Sequence, residues 1–267
     1  LAKLEAPAAR HGLSLALAAG RASAAGAPLY RSFGADSTVD SVPVNITLGA
    51  DEPAELASRA RTALDHGYRA VKIKIGTNGV EEDVERIRAV RNAVGDDVEL
   101  RADVNGAWTP DQAARGLDGL AALDVSYVEQ PLPTAELSSH ANLRGRGVDI
   151  ALDESLAAHA VEDVIETGAA DVLVLKPMVL GGPDRTIEAA RRCREAGIEP
   201  VVSTTIDAVV ARVGAVHVAA AIPDVRPCGL ATGERLATDL ARDPAPVSEG
   251  RITVPQAPGL GLADEPI

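Results

Sequence analysis

The chain has 267 residues, of which 46% are hydrophobic and only 2% aromatic, and its formal charge is −13. The length is close to the roughly 250 residues of an eight-stranded βα barrel, and the apolar content excludes a disordered chain. The acidic charge would repel a phosphate backbone, and the apolar stretches are much shorter than the ~20 residues that cross a bilayer, so neither a nucleic acid nor a membrane is an expected partner.

The first predicted element is a helix that begins near Pro7. Residues 13–20, LSLALAAG, and the small residues that follow them also imitate a secretory signal peptide. Pro7 at the first turn, continuous Ala and Leu, and Gly26 as a stop favour the helix.

Downstream, β-branched apolar runs alternate with Ala-, Glu- and Arg-rich stretches. Strands are predicted at Pro43–Leu48, Ala70–Ile75, Val98–Asp103, Val125–Glu129, Asp149–Asp153, Val172–Lys176, Glu199–Ser203 and, more weakly, Val225–Leu230. Helices are predicted at 52–66, 81–94, 110–122, 135–145, 157–167, 182–196 and 207–221. No GxGxxG turn follows the first strand, so this alternation predicts an α/β fold, a TIM-like (β/α) barrel with parallel strands and an outer ring of helices over residues 41–233. Residues 234–267 are predicted to close it.

The carboxyl ends of the predicted strands are charged. Lys72 and Lys74 end the second strand, and they point to the same face because strand side chains alternate. The next four strands end in Asp103 with Asn105, in Glu129, in Asp153 and in Lys176. Active sites of βα barrels are built at this end, so these residues are the candidate site.

The three carboxylates favour a metal site. Asp103, Glu129 and Asp153 follow consecutive strands and should converge, where like charges need a cation. Carboxylates are hard oxygen ligands that suit Mg²⁺, and the same set accepts Mn²⁺. Each carboxylate taken alone could instead be a helix cap or a solvated loop charge.

Lysine usage points to the same place. Only four of the 26 basic residues are lysines, and Lys72, Lys74 and Lys176 are three of them. Arg stays protonated in proteins, whereas Lys can serve as a base when neighbouring cations disfavour its charged form. Lys74 is therefore a plausible base for a proton α to a carboxylate, and Lys176 could return a proton or hold charge.

Together, the segments KIK, DVN, EQP, DES and LKP resemble the enolase superfamily, and two facing lysine stations resemble its muconate-lactonizing subgroup. The resemblance implies Asp103, Glu129 and Asp153 as Mg²⁺ ligands and Lys74 and Lys176 as the acid/base pair. It further implies that Lys72 holds the substrate carboxylate and tunes Lys74, and that Asn105 contributes to substrate binding.

Within the subgroup, residues 201–207 and 228–233 most resemble the o-succinylbenzoate synthase family. That resemblance implies a Mg²⁺-dependent dehydratase of menaquinone synthesis, acting through an enediolate. Ser203 and Thr204 are then candidate donors to substrate oxygens, or else caps of the helix that starts near Asp207.

Several alternatives stay open. N-acylamino acid racemases, dipeptide epimerases and cycloisomerases share the same chemistry and differ in pocket shape. A Schiff-base lyase using Lys176 is a second class, but it would not explain the three carboxylates at the strand ends. An inactive metal-binding barrel is the third class.

The family's barrel is normally preceded by a capping domain of roughly a hundred residues, and residues 1–40 are interpreted as a connecting helix and a remnant of that region. The chain is interpreted either as a fragment or as a protein without its lid.

Two cysteines outside any CxxC spacing predict a reducing cytoplasm, and the acidic, Lys-poor surface predicts a salt-rich cytoplasm. The oligomeric state is left open.

Overall fold

The computed structural model describes residue 1 and residues 5–262. Residues 2–4 and 263–267, at the ends of the two predicted terminal segments, lie outside the described part. The chain divides into two compact units. Unit 1 comprises residues 1–44, 175–194 and 200–267, and unit 2 comprises residues 45–174 and 195–199.

Parallel strands alternate with helices, as predicted. The strands of this sheet are β2 Ile46–Leu48, β3 Ala70–Lys74, β4 Glu99–Asp103, β5 Val125–Glu129, β6 Asp149–Leu152, β7 Val172–Leu175 and β8 Glu199–Val202, hydrogen-bonded in that order. Most of their apolar side chains are buried, and β7 is buried at all four positions. Continuous Val, Leu and Ile runs of this kind are typical of parallel strands covered on both faces.

The helices that accompany these strands in the chain begin and end close to the predicted positions. In unit 2 they are α2 Pro53–Asp65, α3 Val80–Val94, α4 Pro110–Ala121, α5 Leu137–Leu143 and α6 Val161–Thr167. Thr109 caps α4 through a capping box with Gln112, which explains why this helix starts where the sequence predicts. The helix predicted at 157–167 is shorter, because residues 154–157 form a separate 3₁₀ turn first.

Unit 1 contains the remaining helices. They are α1 Pro7–Ala24, α7 Pro177–Leu180, α8 Pro183–Glu195, whose last residue belongs to unit 2, and α9 Val209–Ala220. The sequence predicted α1 but not α7, which is a single short turn before Gly181.

Helix α1 packs within unit 1 through a charged contact. Arg10 of α1 donates to both carboxylate oxygens of Asp184 in α8, at 2.9 and 2.7 Å. The buried face of α1 therefore includes a charged contact as well as Leu15, so the helix is part of the folded unit.

Two predicted strands differ from the structure by more than one residue. The segment 43–48 is divided: β1 Ser41–Pro43 ends in a small antiparallel sheet with β10 Arg251–Thr253, and β10 also pairs with β9 Val247–Ser248. Only Ile46–Leu48 of that prediction joins the parallel sheet. The weak strand at Val225–Leu230 is wrong, because Cys228 and Gly229 form only isolated parallel bridges, to Val44 and Ser203.

No helix among residues 1 and 5–262 is long and apolar enough to cross a membrane.

Candidate active site

The carboxyl end of β3 carries two lysines on one face. Lys72 Nζ lies 2.9 and 2.8 Å from the two carboxylate oxygens of Glu129, and 3.1 Å from Oδ2 of Asp103. Lys74 Nζ lies 2.7 Å from Oδ2 of Asp103 and 2.7 Å from Oδ1 of Asn105. The Lys72 side chain is 12% exposed and that of Lys74 is 36% exposed, so Lys74 is the lysine that a solute could reach.

Strand register brings these groups together. Lys74 is the cross-strand neighbour of Asp103, and Asp103 is that of Glu129. Glu129 pairs with Ala151, two residues before Asp153 on the next strand along. Asp103 and Glu129 are each 1% exposed and Asp153 is 6% exposed. Three carboxylates therefore lie buried at the ends of three adjacent parallel strands.

Burial and mutual repulsion make this cluster electrostatically unusual. Burial raises the pKa of Glu129 to about 8, and the carboxylates of Asp103 and Asp153 add to the increase although Lys72 opposes it. Burial would also raise the pKa of Asp103, but the Lys72 and Lys74 ammonium groups hold it below its usual range. Burial lowers the pKa of Lys72, and the Glu129 and Asp103 carboxylates more than offset this, so it stands well above the usual range. Lys72 therefore stays a cation, and Glu129 is the group that takes up a proton when negative charge is in excess.

The carboxylate oxygens of Asp103, Glu129 and Asp153 are ligands of the type that hard divalent cations prefer. The charges of Asp103 and Asp153 both act on Glu129, so the three carboxylates are electrostatically linked. As the side chains stand in the described part of the chain, no three His, Cys, Asp or Glu residues are grouped to hold a metal ion. The reason visible in the contacts is that Lys72 and Lys74 pair with Asp103 and Glu129. To bind here, a divalent cation would have to take the place of the two ammonium groups at the carboxylates. The positive charge of the cation would then replace that of the lysines.

Asn105 connects Lys74 to a further carboxylate. Its Oδ1 accepts from Lys74, and its Nδ2 donates to Oε1 of Glu154 at 2.7 Å. Its backbone N–H donates to Oδ1 of Asp103 at 3.2 Å, and its φ of 49° is in the left-handed region. The amide expected to bind substrate thus lies between a lysine and Glu154. Sequence reasoning missed Glu154, because nothing local indicates its contact with a residue 49 positions away.

The other predicted site residues belong to unit 1. Lys176 directly follows β7 and precedes the first turn of α7, where its carbonyl accepts from the N–H groups of Val179 and Leu180, both at 2.9 Å. Lys176 is thus the residue that follows the last residue of β7 in the chain, as the sequence predicted.

Ser203 and Thr204 are buried and hydrogen-bonded locally. Ser203 Oγ donates to the carbonyl of Gly229 at 3.2 Å, and Thr204 Oγ1 lies 3.0 Å from Oγ1 of Thr232. A Cβ at Gly229 would collide with the Ser203 hydroxyl, so this close approach requires glycine. The alternative that these two residues cap the next helix is wrong, because the N-cap residue of α9 is Ala208.

Comparison with known proteins decides the family. Residues 55–264 match the enolase C-terminal domain-like family. The chain belongs to the enolase superfamily. The segments KIK, DVN, EQP, DES and LKP, which carried the resemblance in the sequence, all lie inside the matched region.

Similar enolase-superfamily proteins catalyse different reactions. The chain is 40% identical over 212 residues to o-succinylbenzoate synthase of Thermobifida fusca, covering 77% of the chain and 64% of that protein. It is 32% identical over 246 residues to hydrophobic dipeptide epimerase of Enterococcus faecalis, covering 88% of the chain and 67% of that protein. The chain thus spans about two thirds of the length of these curated relatives.

Solved structures of the superfamily superpose well on the chain. Dipeptide epimerase from Enterococcus faecalis, complexed with Mg and the dipeptide L-Leu-L-Tyr, matches with a TM-score of 0.86 and 32% identity over 97% of the chain and 73% of that structure. Muconate lactonizing enzyme from Pseudomonas fluorescens, complexed with muconolactone, matches with a TM-score of 0.91 and 26% identity over 98% of the chain and 72% of that structure. The predicted α/β TIM-like barrel class is confirmed.

Proposed function

We propose that this enolase-superfamily chain provides the catalytic barrel of an o-succinylbenzoate synthase. The reaction would dehydrate 2-succinyl-6-hydroxy-2,4-cyclohexadiene-1-carboxylate to o-succinylbenzoate. The observation that carries the proposal is the pairing of a reachable Lys74 with a buried carboxylate cluster. The 40% identity to the Thermobifida fusca synthase supports the choice of reaction within the superfamily.

The proposed metal ligands are Asp103, Glu129 and Asp153, for Mg²⁺ or Mn²⁺. When bound, such a cation withdraws electron density from a substrate carboxylate and so acidifies the adjacent C–H bond. Lys72 lies 2.8 Å from Glu129 and 3.1 Å from Asp103, and it is the proposed partner of the substrate carboxylate once the carboxylates turn to the cation.

Lys74 is the proposed base. Its neutral amine takes the proton α to the substrate carboxylate, leaving an enediolate and an ammonium group. The ammonium then returns that proton to the hydroxyl at the neighbouring carbon, the C–O bond breaks, and water and an aromatic ring result. Asn105 accepts a hydrogen bond from Nζ of Lys74, so it can orient the amine as well as contact substrate.

Lys176, Ser203 and Thr204 have proposed supporting roles. Lys176 would stabilise the ring and its developing charge as a cation, and Ser203 and Thr204 would donate to substrate oxygens. The small-molecule carboxylate is the only partner that the proposal requires. A reducing, salt-rich cytoplasm is the proposed setting, since the chain carries a formal charge of −13 and few lysines.

The test follows the substrate by ultraviolet absorbance in molar KCl, with Mg²⁺ or with excess EDTA. Turnover should require the cation and should fall at least ~10³-fold in Lys74→Ala, the loss expected when a general base is removed. Arg88→Ala is the matched control, because Arg88 is an exposed cation on α3. Folded, Mg²⁺-binding protein without turnover would contradict the dehydratase assignment.

Dipeptide epimerisation is the second candidate. It is favoured by the alignment to the Enterococcus faecalis epimerase over 88% of the chain. Epimerisation needs a base on each face of the α-carbon, whereas this dehydration needs one. Chiral chromatography of hydrophobic dipeptides and N-succinylamino acids, with solvent deuterium incorporation, would detect it, and Lys176→Ala should then abolish product formation. Borohydride trapping of a keto substrate on Lys176 would instead indicate the Schiff-base alternative.

A further inference from the structure

Gln130, directly after Glu129, has a strained backbone and a fully buried side chain. Its φ is 42°, in the left-handed region, and its exposure is 0%. A left-handed residue other than glycine costs free energy and persists only where its surroundings hold it. The polar part of this buried side chain is its amide group, whose hydrogen bonds connect Gln130 to the surrounding backbone.

Each atom of that amide group has a partner. Oε1 accepts from the backbone N–H groups of Asp153, at 3.2 Å, and of Ser155, at 3.1 Å. Nε2 donates to the carbonyl of Leu132, at 2.9 Å, and to Oγ of Ser155, at 2.8 Å. The orientation is fixed, because exchanging oxygen and nitrogen would point the NH₂ group at two N–H donors.

His140 supports this orientation from behind. Its Nδ1 lies 2.9 Å from the carbonyl of Glu136 and its Nε2 accepts from the N–H of Leu132 at 3.2 Å. The proton is therefore on Nδ1, and burial lowers the pKa of the ring, so His140 is neutral. His140 therefore binds the N–H of Leu132, the residue whose carbonyl accepts from Nε2 of Gln130.

The backbone of Gln130 joins further strand ends. Its N–H donates to the carbonyl of Ala151 in β6 at 2.8 Å, and its carbonyl accepts from the N–H of Gly106, just beyond β4, at 2.7 Å. One residue thus contacts the segments that carry Asp103, Glu129 and Asp153. All of these residues belong to unit 2.

We propose that Gln130 is a positioning residue that holds the Asp153 backbone at a set place relative to Glu129 and thereby determines the affinity for a divalent cation. This inference rests on the metal ligands of the proposed function, and it does not depend on which substrate is used. Side chains that orient metal ligands commonly contribute 10- to 100-fold in affinity. Without the amide, the N–H groups of Asp153 and Ser155 would lose their buried acceptor and the turn after β6 would loosen.

The experiment measures Mg²⁺ binding by isothermal titration calorimetry on the whole chain, with MgCl₂ as the ligand. Gln130→Met keeps the length of the side chain and removes its hydrogen bonds, and it should raise the Kd at least ~10-fold. Leu120→Ala, at a buried position of α4, is the matched control, because it should destabilise unit 2 and Leu120 takes no part in the hydrogen bonds of the Gln130 amide. Thermal unfolding of both variants without metal records their loss of stability.

An increase above threefold in Gln130→Met, with Leu120→Ala binding as the unaltered chain does, supports the inference. A smaller increase, an equal increase in the control, or no Mg²⁺ binding by the unaltered chain overturns it. If Gln130→Met does not fold, Ser155→Ala removes one amide partner, and the same threefold limit applies. A raised Kd together with absent dehydratase turnover would refute the proposed reaction and leave the role of Gln130 intact.

Discussion

Two neighbouring rows of side chains in the parallel sheet use their cations differently. The lower row consists of the cross-strand neighbours Lys72, Arg101 and Tyr127. The upper row, two residues closer to the carboxyl ends, consists of Lys74, Asp103 and Glu129. The comparison separates Arg101, a cation that maintains the fold, from Lys74, the cation that the proposed reaction uses as its base.

The lower row is held by Arg101, which is fully buried. Its Nε donates to Oε1 of Glu99 at 3.0 Å and its Nη1 to Oδ1 of Asn45 at 3.2 Å. Its guanidinium carbon lies 4.9 Å from the centroid of the Tyr127 ring. A guanidinium group stays charged and planar, so it can satisfy several fixed acceptors at once.

The cation of the upper row is Lys74, and its contacts are replaceable. Lys74 is 36% exposed, and its ammonium group shares Asp103 with that of Lys72. An amine can lose its proton and swing away on a flexible stem. The chain uses arginine almost everywhere else, so lysine stands where the proposed reaction needs a group that can be neutral.

The largest expected effect comes from making the upper row resemble the lower one. Lys74→Arg keeps the positive charge and removes the proposed base, so turnover of the dehydratase substrate should fall at least ~10³-fold while the thermal midpoint changes little. Steady-state kinetics and thermal unfolding measure the two quantities. Activity within tenfold of the unaltered chain would mean that Lys74 acts only through its charge.

Arg101→Met tests the lower row. Removing one partner of a buried charged contact should lower the free energy of unfolding by about 3 kcal/mol, measured in urea, and leave kcat of the folded protein within about threefold. Arg88→Met is the control, because the exposed pair with Glu85 should contribute less than ~1 kcal/mol. A large loss of kcat without loss of stability would place Arg101 in the catalytic machinery.

The third prediction concerns pH in metal-free protein. The pKa of Glu129 is raised to about 8 from an ordinary value of 4.5, so the folded state binds an extra proton between these values. Stability from this group is therefore greatest at low pH and is lost as pH rises through the window, by about 2–4 kcal/mol. Urea unfolding in EDTA between pH 5 and pH 8 measures the slope.

Glu129→Gln is the reference for that measurement, since subtracting its stability curve removes the contribution of the buried histidines. The difference between the two proteins should decline with pH, and Mg²⁺ should reverse the decline because the proposed metal site uses the ionised carboxylate. Parallel curves for both proteins would show that Glu129 is ionised throughout.

The smallest expected effect concerns Glu154. It accepts from Nδ2 of Asn105 and so turns Oδ1 of that amide towards Lys74. Glu154→Ala should lower kcat about tenfold with little change in KM, and Glu154→Gln should recover part of the loss because its carbonyl still accepts. Glu166→Ala, at an exposed position of α6, controls for the loss of a negative charge. An unchanged kcat in Glu154→Ala would remove Glu154 from the mechanism.

Much of the fold could be predicted from local pattern. The strand Val125–Glu129 was predicted with its observed bounds, and the predicted strands at 70–75 and 98–103 differ by one residue at one end. Such runs are rich in β-branched residues and bounded by turn residues, so neighbouring residues alone are enough to predict a strand.

Prediction failed where pairing depends on a distant partner. Ser41–Pro43 pairs with Arg251–Thr253, more than two hundred positions along, and this divides the strand predicted at 43–48. The strands Val247–Ser248 and Arg251–Thr253 are too short to carry a periodic signal. Cys228 and Gly229 form isolated bridges instead of a continuous strand. The apolar residues Val225 and Leu230, on which the strand prediction rested, carry no information about how the segment pairs.

The sequence by itself determined which charged residues follow which strand, because parallel strands expose their carboxyl ends at one edge and the chain order is known. Only the tertiary structure decided how those groups contact one another. It set the register that gives Lys72 both oxygens of Glu129, and it placed the amide of Gln130 against the N–H groups after β6. Such contacts depend on angles and distances between strands, and on a left-handed backbone at Gln130, none of which a local pattern of residue types encodes.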